Sequence, residues 1–238
     1  MTTVEPPESV PTQPVLPRWG LRDAIGSLLG FVLLTLGVSW GLTSLGVHPV
    51  TATLIGTPVG WLSLAGWPLV ASRRRGNGPR SDFALRFRVA DVGYGLLGAL
   101  VAFAASAVYV LVYLQVTGRI PTSAVGLAAG HATADWQVLG LAGLALAAAF
   151  VEELHFRGMW WSALRRRGLG PWATLLITSA LFMLLHLEPQ RAPLLFAAGL
   201  TVGYVRMVTH RLGPAIATHL VINGVAALAL LGLLESTG

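Results

Sequence analysis

The chain has no cysteine, which excludes disulfides, thiolate-held iron–sulfur clusters and thiol nucleophiles and leaves any chemistry to oxygen and nitrogen side chains. It also has no lysine, so all sixteen basic residues are arginine. Charge of either sign is scarce: 11% of 238 residues are charged and 54% are hydrophobic, a balance that excludes a water-soluble globular domain of this size. The net charge of +6 does not signal a nucleic-acid partner. The arginines stand in short blocks between long uncharged runs, as in loops flanking membrane helices, and form no continuous basic face. A phosphate-cradling glycine loop is missing as well, which argues against a nucleotide partner.

What is present is a series of apolar runs. Residues 1–17 carry five prolines and few apolar side chains, so they are expected to form a disordered tail. That tail lacks the basic start and cleavage pattern of a secretory signal. Charge-free runs follow at Ala24–Val47, Pro49–Ser72 and Val92–Gly118, each long enough to cross about 30 Å of hydrocarbon. Four further segments, at about 136–164, 171–187, 193–209 and 213–234, are apolar but interrupted by ionisable groups. The expected fold is all-α, a polytopic transmembrane bundle of about seven spans. Its expected divisions are the tail (1–17), N-terminal membrane helices with a basic cytoplasmic loop (18–84) and a membrane core (85–238). With a cytoplasmic tail, seven crossings leave only Arg119 and Arg191 in outer loops, which places the chain in the plasma membrane with its N-terminus inside. Trp19, Trp160, Trp161 and Trp172 are then expected at the cytoplasmic headgroup level and Trp136 at the outer one.

The ionisable groups inside those segments demand an explanation, because a charge near the bilayer centre costs at least about 2.5–3.5 kcal/mol. Glu153 and Arg157 are four apart on one helix face, where an ion pair neutralises both. Glu152 points about 100° away and needs a partner from another helix. Phe182 and His186 share a face of the fifth segment, as do His219 and Asn223 of the seventh. One unpaired carboxylate, two histidines and an amide are the components of a buried hydrolytic site: a base, a water-holding partner and oxyanion donors. Each also has a plain structural reading, as a packing histidine, an interhelical amide or, for Phe182, core. His155 reads as a packing or access residue. Counting about 1.5 Å per residue sets His219 near the cytoplasmic end of its span and His186 near the outer end of its own. A shared water therefore requires tilted or broken helices, or a fifth span that starts later.

Glu152-Glu153-x-x-x-Arg157, Phe182-x-x-x-His186 and His219-x-x-x-Asn223, in this order and spacing, resemble the motif set of the CAAX prenyl endopeptidase and bacteriocin-processing family (CPBP, or Abi), which are integral membrane endopeptidases. The resemblance covers about residues 85–230 and includes Phe156-Arg157-Gly158 and the Leu212-Gly213-Pro214 turn. It implies that Glu152 activates a water with His186, that His219 and Asn223 stabilise the oxyanion, and that Glu153, Arg157 and Phe182 support them. It also implies a membrane-associated peptide or protein as substrate, within the lipid bilayer.

The cofactor reading stays open between no metal and one divalent ion such as zinc. Glu152, His186 and His219 are the candidate ligands, although asparagine is a poor zinc ligand and no His-Glu-x-x-His is present. Two other function classes fit the same residues. One is an ion- or proton-coupled transporter relaying through Glu152 and the histidines, and the other is a non-catalytic membrane adaptor of the same fold.

Overall fold

A computed structural model describes residues 16–235, so nearly all of the proline-rich tail lies outside the described residues. Seven long helices make up most of the chain: α1 (Leu21–Ser44), α2 (Pro49–Arg75), α3 (Ala90–Thr117), α4 (Asp135–Arg166), α5 (Pro171–Leu185), α6 (Ala192–Thr209) and α7 (Leu212–Glu235). Short helices at Pro79–Asp82 and Ala124–Gly130 and a 3-10 turn at Pro189–Arg191 sit in the connections, and no strand occurs among the described residues. The protein is an all-α polytopic helix bundle. The long apolar runs fix these helices to within three residues of the expected spans, and prolines at the first positions of α2 and α5 mark two of the starts.

Six of the seven are long and apolar enough to cross a membrane. The exception is α5, whose 15 residues rise about 22 Å against the roughly 30 Å of a hydrocarbon core. Exposed leucines cover the outside of the bundle, for example Leu29, Leu33 and Leu36 on α1 and Leu111 on α3, as suits helices bathed in lipid.

The interior is organised around α4 and α7. Helix α7 packs against both α4 and α3, α6 packs against α3 and α5, and α1 pairs chiefly with α2. Small residues let these helices approach closely: a Cβ on Gly95 of α3 would come within 2.9 Å of the Ala217 backbone on α7. At Leu154–Trp160, α4 widens into a π-helical segment in which all seven residues are buried. Seven consecutive buried residues cover every direction around a helix axis, so protein encloses α4 at this level.

The aromatic belt differs from expectation. Trp172 and Trp136 are exposed, but Trp19, Trp160 and Trp161 are packed inside the protein. Each of the three has an internal partner that outcompetes the headgroup region. The Trp19 indole donates to Asp82 (2.9 Å) and lies under the Arg166 guanidinium, Trp160 donates to His155, and Trp161 lies under Arg206. Asp82 also accepts from Ser72 (2.7 Å), so the basic loop is pinned to the ends of α2 and α4.

A candidate active site between α4, α5 and α7

Glu153 and Arg157 lie on α4, one at the start of the π-helical segment and one within it, and both are fully buried. Arg157 Nη1 donates to Glu153 Oε1 at 2.9 Å, the ion pair anticipated from the four-residue spacing. Its Nη2 donates to the Gly199 carbonyl of α6 at 2.7 Å, and its guanidinium carbon stands 4.9 Å from the centre of the Phe182 ring. Burying this cation is tolerable because a carboxylate, a carbonyl and a ring face surround it. Gly203, one turn beyond Gly199, has no side chain to fill the space beside the guanidinium.

The same Glu153 oxygen takes a second bond from His219 Nδ1 of α7, at 2.9 Å. A carboxylate oxygen accepts, so Nδ1 carries the proton and the other ring nitrogen is the one directed onward. Nε2 lies 3.9 Å from Glu152 Oε2, beyond a direct hydrogen bond. The two adjacent glutamates thus meet one histidine on two sides: Glu153 holds the ring, and Glu152, whose side chain is 17% exposed, faces its free edge.

Phe182 of α5 joins the histidines. Its ring centre lies 4.6 Å from that of His186 and 5.6 Å from that of His219, and Phe156 packs on it edge to face. The two histidines, expected at opposite ends of their spans, both touch Phe182. Helix α5 is too short to span, and Phe182, one turn before His186, reaches His219 with its ring. His186 Nδ1 donates to the Phe182 carbonyl at 2.8 Å, which again leaves Nε2 as the presented atom. His186 caps the C-terminus of α5, and the chain turns directly after it at Leu187, an exposed leucine with a left-handed backbone (φ +53°).

Asn223 stands one turn beyond His219 on α7, where its amide donates to the Ala145 carbonyl of α4 at 2.8 Å. In this arrangement one of its N–H bonds serves as interhelical glue, while the side-chain oxygen and second N–H make no bond to the glutamates or to His219. His155 is wholly buried on the other side of α4. It accepts from Trp160 Nε1 (3.0 Å) and presents Nδ1 to the Leu64 carbonyl of α2 (3.1 Å) and to Ser27 of α1 (3.4 Å). It is a packing residue, and it fastens the π-helical segment of α4 to the N-terminal helices.

Two of these partners escaped the reading of the sequence. The Leu64 carbonyl lies in a π-helical stretch of α2 (Leu62–Gly66), and no local pattern names His155 as its partner. The Gly199 carbonyl carries no mark beyond the Gly199–Gly203 spacing. The metal candidates Glu152, His186 and His219 do not gather into a group that could hold an ion, and no other such group of three occurs among the described residues.

Residues 134–225 match the family described as Type II CAAX prenyl endopeptidase Rce1-like, a stretch running from the start of α4 into α7 and containing all three motifs. No curated protein and no solved structure matches the chain.

Proposed function

With residues 134–225 matching the Rce1-like endopeptidases, the chain is a member of the CAAX-endopeptidase (CPBP) family, and from that premise we propose that it is an intramembrane endopeptidase cutting a membrane-associated protein or peptide. The observation that carries this reading is the meeting of Glu152, Glu153 and Arg157 of α4 with Phe182 of α5 and His219 of α7 in one largely buried place. An apolar bundle does not gather two carboxylates, a guanidinium and an imidazole without a task for them.

In the proposed reaction, Glu152 is the general base. It takes a proton from a water that His186 Nε2 orients, and the water oxygen bonds to the scissile carbonyl carbon. The resulting oxyanion is met by the second N–H of Asn223 and by His219 Nε2, which donates there as the imidazolium while its Nδ1–H stays on Glu153, in a site where little water competes for those donors. The proton held on Glu152 then passes to the leaving amine as the C–N bond breaks. Glu153 acts through His219: by accepting from Nδ1 it fixes the ring with Nε2 toward the reacting atoms, while Arg157 holds Glu153 in place. Residues 85–238 are the protease core, with residues 18–84 as an added helix pair and basic loop. The arginine-rich ends and the N-terminus face the cytoplasm at the plasma membrane.

The test is cleavage by purified protein in lipid vesicles, using quenched fluorescent peptides with lipidated and unlipidated C-terminal tails. Wild type is expected to cleave at least one class, and Glu152→Gln at least about 100-fold more slowly. Cleavage by Glu152→Gln at a rate close to wild type removes the proposed base.

A further inference from the structure

The helix pair α1–α2 lies outside the family match, yet it holds a cleft of about 300 Å³ lined by Arg22, Asp23, Gly26, Ser27, Ser63 and Trp67. That volume is at the lower end of ligand pockets, about 300–1,000 Å³. Its polar groups are asymmetric. Asp23, the one acid, is taken up: it pairs with Arg75 and accepts from the Trp67 indole at 3.2 Å. Arg22 is exposed and makes no hydrogen bond or ion pair among the described residues. The surplus charge at the cleft is therefore positive. Gly26 faces open space, with nothing within 4 Å of where its Cβ would be.

The surroundings of the cleft are apolar. Leu29 and Leu33, three and seven residues beyond Gly26, lie on the same face of α1 and are both exposed, and Trp67 is itself 44% exposed at the mouth. A cationic pocket with an indole at its rim, continuing into an exposed leucine track on a membrane helix, matches a molecule with an anionic head and hydrocarbon chains. We propose that this cleft binds the phosphate headgroup of an anionic phospholipid, with Arg22 as the phosphate partner and the acyl chains lying along Leu29 and Leu33. Ser27, at the floor, also contacts His155, so the bound lipid would sit one side chain away from the π-helical segment that bears Arg157 and adjoins Glu153.

The test is a binding measurement, independent of whether the chain is a protease. Full-length protein in detergent is titrated with phosphatidylglycerol and with phosphatidylcholine and the retained lipid is counted by native mass spectrometry, with glycerol phosphate as a soluble competitor. Wild type is expected to retain phosphatidylglycerol preferentially. Arg22→Ala should weaken that retention roughly fivefold, the usual effect of one arginine near an anionic surface. Gly26→Phe, which fills the cleft without touching a charge, should weaken it comparably, and Arg119→Ala, in the loop after α3, should leave it unchanged. Equal retention of the two lipids overturns the proposal, as does a preference that survives both Arg22→Ala and Gly26→Phe. Complete displacement by glycerol phosphate overturns it in a different way, by assigning the cleft to a free phosphate ester.

Discussion

His219 Nδ1 and Arg157 Nη1 both donate to the same oxygen of Glu153, each at 2.9 Å, so one buried carboxylate oxygen ties α7 to the middle of α4. The other oxygen of Glu153 is buried and has no hydrogen-bond partner among the described residues. The ion pair is therefore a local organiser: it sets the ring that faces Glu152.

Removing one member of this pair leaves the other charge buried and unpaired, which costs about 3–5 kcal/mol. Arg157→Ala is therefore expected to lower the thermal midpoint sharply and to reduce the folded yield. Arg157→Lys should recover part of the loss, because it restores the charge but not the bond to Gly199. Thermal unfolding in detergent, followed by tryptophan fluorescence, checks both; an Arg157→Ala midpoint equal to wild type contradicts the pairing.

Glu152 is partly exposed and makes no direct hydrogen bond, so its replacement disturbs little packing. Glu152→Gln should unfold near the wild-type temperature yet cleave at least about 100-fold more slowly, the lower range for losing a general base. Parallel midpoint and initial-rate measurements separate the two effects. A variant that is both unstable and inactive would make Glu152 a structural residue.

For Asn223 the structural bond and the proposed chemistry predict different sizes. Losing the interhelical bond to Ala145 should cost about 0.6 kcal/mol, the average for polar contacts between membrane helices. Losing an oxyanion donor should cost about 100- to 1,000-fold in kcat. Asn223→Ala is expected to be nearly as stable as wild type and slower by that factor, whereas a rate within a few-fold of wild type leaves only the glue.

His155→Leu strands the Trp160 indole N–H and the Leu64 carbonyl, each worth about 1–3 kcal/mol when buried and unpaired. The variant is expected to unfold clearly below the wild-type temperature, read from thermal midpoints in detergent, and a wild-type midpoint contradicts the role of these bonds.

The helices were legible because membrane spans are written in long apolar runs, and Ala192–Thr209 and Leu212–Glu235 fall within a residue of their expected bounds. The Glu153–Arg157 pair was legible from spacing alone. Other features depended on partners that no local pattern names. Nothing in Leu154–Trp160 marks the π-helical turn, and the bond from His219 to Glu153 joins residues 66 apart. Trp160 and Trp161 show the same limit, since an indole suits a headgroup layer or a buried acceptor equally and only the fold decides which it finds.

Whether Glu152 serves peptide-bond hydrolysis is decided by comparing the termini of membrane proteins in cells carrying the wild-type chain with those in cells carrying Glu152→Ala at equal abundance. New termini are expected only with wild type, and they would also name the substrates. Identical sets of termini, under conditions where the wild-type protein is needed, would contradict that role.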